Sequence, residues 1–356
     1  MKMRTGLVAF LVAAMAITAC GPAATPGATP GASAAPVASA TLGPPTAVRV
    51  VSAPNIFLSA FYVADAEGYF KAENLSVTTS QITAGTESVA ALVSGNAQYA
   101  DIGFDDLVGL AQRGEKNLVM VHNILSRVTL TLVMRTDVAQ RLGVTRSSPL
   151  ASRWASLKGL RLGITSPGAP TDKYMRYYLR EAGLDPDRDA QIVAIGGGAA
   201  LLAALESKQI DAYHLSPPTP YVAADRGIGT ILIDGPAGDV PKFSNFLYTA
   251  WATNRDWAEK NPNAASAFSR ALTKGMQKVK ADPTAAAAVV AKAIGSTDLA
   301  LTKRVLEAFM PALSENGCFT AAAVSGSLDT MLDAKIIATK GDPAEGVLWT
   351  AKYNKC

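Results

Sequence analysis

One segment of the sequence is repeated, without a gap, 113 positions further along the chain. Residues 84–121 and 197–234 share a glycine, an Ala-Ala-Leu triplet, a serine, an alanine and an Arg-Gly pair at equivalent positions. Each copy predicts a loop, an amphipathic helix, an apolar strand, a second loop, a helix and a strand. The duplication predicts two similar α/β lobes with a cleft between them, which is a preferred place for a ligand. Chance similarity among the abundant alanines and leucines is the alternative.

The first twenty residues predict export from the cytoplasm. Lys2 and Arg4 precede an apolar stretch, 6–17, that is too short to span a bilayer and is typical of a removable signal. The sequence Ile-Thr-Ala-Cys that ends at Cys20 resembles a bacterial lipobox, whose cysteine becomes the lipidated first residue of the mature chain. We therefore expect an extracytoplasmic protein anchored to a membrane through Cys20. An ordinary signal peptide with an incidental cysteine is the alternative.

Residues 21–46 predict a disordered linker between this anchor and the folded part. They hold six prolines and four glycines and carry no charged side chain. Such a segment cannot bury enough apolar surface to offset the entropy of ordering it. We predict lobe 1 from residues 47–130 with 250–340, lobe 2 from residues 131–249, and a C-terminal tail from residues 341–356. The hinge between the lobes is expected at 127–131 and 249–251.

Charge and cysteine content narrow the class of protein further. The formal net charge is +4, it includes Lys2 and Arg4, and no basic cluster is present, which argues against a nucleic-acid partner. Beyond the signal, no apolar run is long enough to cross a membrane. With Cys20 lipidated, Cys318 and Cys356 remain as an even pair in an oxidising compartment. We predict a disulfide between them; two free thiols are the alternative.

Strand and helix patterns alternate along most of the chain. This alternation predicts an α/β fold in which each lobe is a mainly parallel sheet flanked by helices. The polar stretch 136–156 is interpreted as the passage into lobe 2, and 246–253 as a strand returning to lobe 1. From Asp256 onward the chain is predicted to be helical.

Motifs for catalysis or cofactor binding are weak. Gly196-Gly197-Gly198 resembles part of a dinucleotide fingerprint, but Leu201 stands where the last glycine should be, which leaves a tight turn before a helix. His122 and His214 lie far apart and have no cysteines or carboxylates at metal-binding spacing. We predict no catalytic residues, no metal site and no cofactor.

The loops that follow the predicted strands make the better case for a ligand site. In open α/β sheets, ligands bind beyond the carboxyl ends of the strands. Two facing lobes would bring six such loops to one cleft, although each loop alone could be a capping turn. The candidate ligand-binding residues in these loops are Asn55, Phe57, Gly85, Thr86, Phe104, Asp105, Ser166, Gly168, Thr171, Gly197, Gly198 and Ser216.

The chemistry of the ligand is left open by these loops. Bare helix starts attract anions, yet acidic residues occupy three of these starts. The acidic residues are Glu87, Asp105, Asp106 and Asp172. Nearby rings could stack on a solute; they are Phe57, Phe61, Phe104, Tyr174 and Tyr221. This favours a neutral or cationic solute, aromatic or not; alternatively the carboxylates point outward and the rings belong to the core.

Several of these segments resemble one family. Residues 66–75 and 85–95 are similar to the opening of the nitrate/taurine-type substrate-binding proteins of ABC importers, and 157–164, 182–186 and 205–212 are similar to parts of their second lobe. The resemblance implies a two-lobed periplasmic-binding-protein fold of type II, with no catalysis. It also implies a monomer that closes on a small solute and delivers it to a permease and ATPase complex. Solutes of the family include sulfonates, nitrate, thiamine-precursor pyrimidines and riboflavin.

Two other functions stay open. An exported enzyme of the same fold would need a nucleophile or an acid/base pair in the cleft. A solute receptor for a sensor kinase or chemoreceptor would bind in the same way but act on another partner, and neighbouring genes for a permease and an ATPase would argue against it.

Overall fold

Two five-stranded sheets form the framework of the protein. The computed structural model describes residues 43–82 and 85–356. Cys20, the predicted signal and most of the predicted linker lie outside the described residues. The strands of the first sheet, in spatial order, are β2 (Leu75–Gln81), β1 (Thr46–Ser52), β3 (Tyr99–Gly103), β10 (Thr249–Asn254) and β4 (Leu118–Leu125). Those of the second are β7 (Gln191–Ala194), β6 (Arg161–Ile164), β8 (Ala212–Leu215), β5 (Thr131–Arg135) and β9 (Gly229–Ile233).

Each sheet contains one strand that runs against its neighbours. β10 is antiparallel to β3 and β4, and β5 is antiparallel to β8 and β9, whereas β1 and β6 pair in parallel with both of their neighbours. Each reversed strand is the first one that the chain forms after it leaves the other sheet. The sheets are therefore mixed rather than simply parallel, and the two-lobed α/β fold is confirmed. Lobe 1 below means the part built on the first sheet, and lobe 2 the part built on the second.

Both copies of the sequence repeat fold into a helix, a strand, a helix and a strand. The first copy forms α3 (Gly85–Val93), β3, α4 (Phe104–Gln112) and β4. The second forms α8 (Gly198–Glu206), β8, α9 (Thr219–Asp225) and β9. The two copies take equivalent places in their sheets, so the repeat accounts for the matching strand orders.

The remaining helices cover the sheets. They are α1 (Ser59–Ala66), α2 (Tyr69–Ala72), α5 (Thr136–Leu142), α6 (Leu150–Ala155), α7 (Pro170–Glu181), α10 (Arg255–Lys260), α11 (Pro262–Ala281), α12 (Pro283–Ile294), α13 (Leu299–Phe309) and α14 (Ala321–Asp333), with short 3₁₀ turns at Ile56–Leu58 and Pro241–Phe243. Among the described residues, no single helix is long and apolar enough to cross a membrane; α12 and α13 meet that test only as a pair, and the pair bends by 112°.

The chain crosses between the sheets twice, at 126–130 and at 234–248. The interpretation of residues 136–156 as the passage into lobe 2 was wrong, because this polar stretch forms α5 and α6 and buries Val138, Ala139 and Trp154. The second hinge prediction, at 249–251, was also misplaced. Those residues pair with β3 and β4 inside β10, so the crossing ends before them.

The C-terminal tail is joined to lobe 1. Cys318 and Cys356 form a disulfide with their Cα atoms 5.9 Å apart. Trp349 is 4% exposed and pairs with Met120 of β4, and the Thr350 N–H donates to the Met120 carbonyl at 3.0 Å. The tail thus covers one edge of the first sheet.

Aromatic rings on α11 and β3 lie at the centre of the core of lobe 1. Phe268 stacks on Tyr99 with ring centroids 3.8 Å apart and also contacts Trp251 and Phe70. All four rings are almost fully buried. Helix α11 approaches α1 closely on this side, and Gly275 is the point of contact: a Cβ there would lie 2.1 Å from the Ala60 carbonyl oxygen.

Replacement of Gly275 by alanine is expected to lower the free energy of unfolding by about 2–3 kcal/mol, because the methyl group would push α1 away from α11. Chemical denaturation measures this change. The matched control is Gly326→Ala in α14, where a Cβ meets nothing within 4 Å. Alanine there should raise stability by roughly 0.5–1 kcal/mol through helix propensity alone. Equal effects at both sites would contradict the predicted packing.

Candidate functional site

A cavity of about 570 Å³ lies between the two lobes. Its volume is within the range of sites for small organic ligands, roughly 300–1,000 Å³. Lobe 1 contributes residues from α3 and α4, and lobe 2 contributes the loops after β6 and β7 and the start of α7. The lining residues are Val89, Asp105, Asp106, Gly109, Leu110, Arg113, Thr165, Ser166, Pro167, Gly168, Ala169, Pro170, Lys173, Gly196 and Gly197.

Parallel strands position this wall. β3, β6 and β7 each end at the cavity, and the chain turns there into α4, α7 and α8. In the loop after β6, the Gly168 N–H donates to the Asp172 carboxylate at 2.8 Å, which fixes the turn before α7. The site therefore lies at the carboxyl ends of strands, as expected for an open α/β sheet.

An ion-pair cluster joins the lobes across the cavity. Lys173 of α7 donates to Asp105 Oδ2 at 2.5 Å and to Asp106 Oδ1 at 3.0 Å. The side chain of Asp105 is only 1% exposed, whereas those of Lys173 and Asp106 are partly exposed. Burial and the adjacent Asp105 carboxylate raise the pKa of Asp106 to about 6, against the effect of Lys173. Burial opposes the charge of Lys173, but the two carboxylates outweigh it and raise its pKa.

A second ion pair connects the lobes elsewhere. Arg304 of α13 contacts Asp225 of α9 at 2.5 Å, and its guanidinium lies 5.7 Å from the centre of the Tyr221 ring. Both pairs join residues of lobe 1 to residues of lobe 2, so this structure represents an arrangement in which the lobes touch.

Four of the predicted ligand-binding residues line the cavity. They are Asp105, Ser166, Gly168 and Gly197. Gly85 and Thr86 begin α3, the helix whose Val89 also lines the cavity.

Four other predicted residues lie close by but have structural contacts. The Thr171 hydroxyl accepts from the Thr165 N–H at 3.0 Å, and Ser216 shares a buried hydrogen bond with Thr129 at 2.8 Å. Phe104 is 2% exposed within the core. At Gly198 a Cβ would lie 3.1 Å from both Leu215 and Thr219, so the glycine lets α8 pack closely.

Asn55 and Phe57 lie away from this cavity. Asn55 caps the turn at Ile56–Leu58 by accepting from the Phe57 N–H at 3.3 Å. Phe57 packs edge-on against Phe309 and borders a separate void of about 10 Å³ beside His122. The chain enters this turn directly after β1, which directs the phenyl ring into lobe 1.

The rings proposed to stack on a solute belong elsewhere. Phe61 packs among Phe70, Trp251 and Phe268, and Tyr174 is fully buried against Phe243 and Tyr248. Tyr221 borders a separate groove of about 340 Å³. Among the described residues, the wall of the main cavity contains no aromatic side chain. The reading of these rings as core residues, with Tyr221 at a groove, is therefore the one that fits.

Lys173, Arg113 and the aliphatic residues of the wall were not among the sequence-based candidates. Arg113 lies at the end of α4 and is exposed, and Lys173 stands one turn inside α7. Their positions on helices that start at the cleft were the available signal. Which face of each helix points into the cavity depends on how the lobes pack, and the sequence alone does not give that packing.

Neither histidine takes part in the site. Burial lowers the pKa of His122 to about 3 and that of His214 to about 4, so both are neutral. His214 contacts the Thr171 carbonyl through Nε2, and His122 lies under Gly317. In the part of the chain that the structure describes, no group of three or more His, Cys, Asp or Glu side chains could hold a metal ion.

The chain belongs to the NMT1-like family, whose model matches residues 43–295. This membership, with the relatives below, confirms the resemblance to substrate-binding proteins of the nitrate/taurine type.

Curated relatives and solved structures agree with this family. The chain is 27% identical over 240 residues to the putative binding protein YtlA of Bacillus subtilis, covering 66% of each chain. It is 30% identical over 124 residues to the nitrate/nitrite binding protein NrtA of a Nostoc strain, covering 35% of this chain and 27% of NrtA. The chain thus spans less than two thirds of the length of these relatives. The alkanesulfonate-binding protein SsuA of Xanthomonas axonopodis shares the fold, with a TM-score of 0.66 at 17% identity, covering 86% of this chain and 97% of SsuA.

Proposed function

We propose that this protein is an extracytoplasmic receptor that binds a small organic solute between its lobes and delivers it to the permease of an ABC importer. The observation that carries the proposal is the cavity of about 570 Å³ lined by helices of lobe 1 and by loops and the start of α7 of lobe 2. The names of the relatives add support, because YtlA, NrtA and SsuA are all described as binding proteins. Sulfonates, nitrate and pyrimidine-type solutes are the ligand classes that the family suggests.

Closure of the lobes is the proposed signal to the permease. The chain crosses between the sheets only at 126–130 and 234–248 in the described residues, and rotation about these two segments would open the cavity. A solute that contacts both lobes stabilises the closed arrangement by its differential affinity for it. The ion pairs of Lys173 and Arg304 lie where the lobes would separate.

The proposed location is outside the cytoplasm, with the chain held at a membrane by a lipid on Cys20. The disulfide between Cys318 and Cys356 favours an oxidising compartment. Mass spectrometry of the protein from its native membrane tests the anchor. A mature chain that begins at a diacylated Cys20 is expected, and a chain that begins at an unmodified residue would contradict it.

An enzyme of the same fold is the second reading. In the described wall of the cavity, Thr165 and Ser166 carry the hydroxyl groups, the Thr165 hydroxyl is hydrogen-bonded to that of Thr171, and no histidine lines that wall. A serine without a nearby base is a poor nucleophile. We therefore expect a bound solute to be recovered chemically unchanged.

Filling the cavity tests the binding role. A Cβ on Gly197 meets nothing within 4 Å, and the backbone there has φ −68° and ψ 177°, which any residue adopts. Gly197→Phe is expected to weaken solute binding by at least about a hundredfold, because the ring would occupy ligand space. The solute is first identified by native mass spectrometry of the purified protein, and its Kd is then measured by calorimetry.

The control for this variant is Gly326→Phe, an equal change on the exposed face of α14. It should leave the Kd unchanged. Both variants should unfold close to the wild-type temperature. Undiminished affinity in a folded Gly197→Phe variant would place the ligand outside this cavity and contradict the proposal.

A further inference from the structure

Acidic side chains dominate the lobe 1 side of the cavity. Asp105 and Asp106 begin α4, and both line the wall. The cations in the described wall are Lys173, which already binds both carboxylates, and Arg113, which is exposed. Lys173 supplies one positive charge for these two carboxylates, and Arg113 supplies the second positive charge of the described wall.

The oxygens that Lys173 does not contact lie close together. A Cβ on Gly103 would be 2.7 Å from Asp105 Oδ1 and 3.2 Å from Asp106 Oδ2, so both oxygens flank the same point. Asp105 Oδ1 is buried and has no hydrogen-bond partner among the described residues. A buried carboxylate oxygen without a donor is costly, and a donor from a ligand would remove that cost.

Acidic residues also occupy most helix starts around the cavity. Glu87 lies in the first turn of α3, and Asp172 in the first turn of α7. These carboxylates reduce the positive potential that would otherwise attract an anion. The start of α8 lacks an acidic residue in its first turn, so this helix start would favour an anion, as would the side chains of Arg113 and Lys173.

We propose that the receptor selects an organic cation, and that the protonated amine or amidinium group of the solute binds the carboxylates of Asp105 and Asp106 in place of the Lys173 ammonium. This inference rests on the proposed receptor function and names the chemical class of its solute. Nitrate would fill only a small part of the 570 Å³ cavity, and an alkanesulfonate would bring its negative charge close to the carboxylates of Asp105 and Asp106. An N–H cation instead supplies a donor for Asp105 Oδ1, which has none among the described residues.

The binding of such a cation should depend on pH. Asp106 faces Asp105 and Arg113 on its own helix and Lys173 on α7, and the buried hydroxyls of Tyr174 and Tyr248 lie near the same pair. Below about pH 6, Asp106 takes up a proton and loses its charge. Affinity for a cation should therefore be constant above pH 7 and fall as the pH drops below 6.

The experiment uses matched solutes that differ only in the charge of one group. The screen uses aliphatic and cyclic compounds. Each compound is tested in three forms: as the amine or amidine, as the neutral amide, and as the carboxylate or sulfonate. All are screened by thermal shift and then titrated by calorimetry. The cationic member is expected to raise the melting temperature, since a ligand stabilises the folded state by mass action. Asp106→Asn should weaken the binding of the cationic member by at least about tenfold. Glu259→Gln, an exposed change on α10, is the control and should have no effect.

A second variant separates charge selection from lobe closure. Lys173→Met removes the competing ammonium, so the ratio of cation affinity to anion affinity should rise at least about tenfold; the ratio cancels any common loss of closure. If the anionic member binds tightest and Lys173→Met abolishes its binding, the cation inference is wrong while the receptor function stands. If no member of any class binds and no solute co-purifies, the receptor function itself fails.

Discussion

Replacement of Gly235 by alanine is expected to lower the free energy of unfolding by about 3 kcal/mol, near the upper end for an overpacked site. A Cβ on Gly235 would lie 2.5 Å from the Leu130 carbonyl oxygen, 2.6 Å from the Thr129 carbonyl carbon and 2.7 Å from the Leu130 nitrogen. All three atoms belong to the backbone and cannot rotate away. The two segments that cross between the lobes therefore touch at Gly235, and only glycine permits that contact.

The same variant should impair solute binding, because separating the crossing segments changes how the lobes meet. Urea denaturation measures the loss of stability, and X-ray scattering with and without solute measures closure. Gly238→Ala is an informative comparison: its Cβ would approach the Arg127 and Ser244 side chains, at 3.0 Å or more, but φ there is +81°. That change should act through local strain and leave the contact between the crossings intact. A Gly235→Ala variant with wild-type stability and closure would disprove the proposed contact.

The sequence predicts the order of elements well because most segments are locally consistent. The repeat, the alternating apolar positions and the Ala-rich helices each indicate one structure, and both repeat copies follow it. The direction of β5 and β10, unlike the order of the elements, could not be predicted from the sequence. Nothing local distinguishes a strand that joins its sheet in reverse, since its direction follows from the side on which the chain arrives after crossing. Residues 136–156 were misread because α5 and α6 bury only a few side chains, such as Val138 and Trp154, within a polar segment.

The location of the candidate site could be predicted from the sequence, but the orientation of its side chains could not. The segments that follow β3, β6 and β7 do meet at one cavity, as strand topology requires. Within a loop, however, sequence does not say whether a side chain points to solute or back to its own turn. Thr171 and Asp172 both follow the Ser166–Gly168 turn. Their side chains accept hydrogen bonds from the N–H groups of Thr165 and Gly168, respectively, instead of facing the cavity. Lys173, the next residue, reaches across to lobe 1. Its partners, Asp105 and Asp106, lie 68 and 67 positions earlier in the chain, so the contact depends on the tertiary fold.

The disulfide gives the second large effect: a Cys318→Ser and Cys356→Ser double variant is expected to lose about 3–4 kcal/mol of stability. The bond closes a loop of 38 residues, and its loss restores that much chain entropy to the unfolded state. The closed loop contains α14, and its last residues hold Trp349 and Tyr353 in the core beside β4. Without the bond, this tail can detach before the rest of the chain unfolds. Both cysteines are changed together so that no free thiol remains to form other pairs.

Reduction of the wild-type protein provides the matching control for that variant. Dithiothreitol should lower the stability of the wild type to that of the double variant and should leave the double variant unchanged. Tryptophan fluorescence, to which Trp349 contributes as one of four tryptophans, should then show an early transition in the reduced wild type and in the double variant, ahead of the change in far-UV circular dichroism. If the double variant and the oxidised wild type unfold at the same urea concentration, the bond contributes nothing to folding. The expected effect also bears on location, because a protein that needs this bond to keep its tail on lobe 1 reaches full stability only in an oxidising compartment.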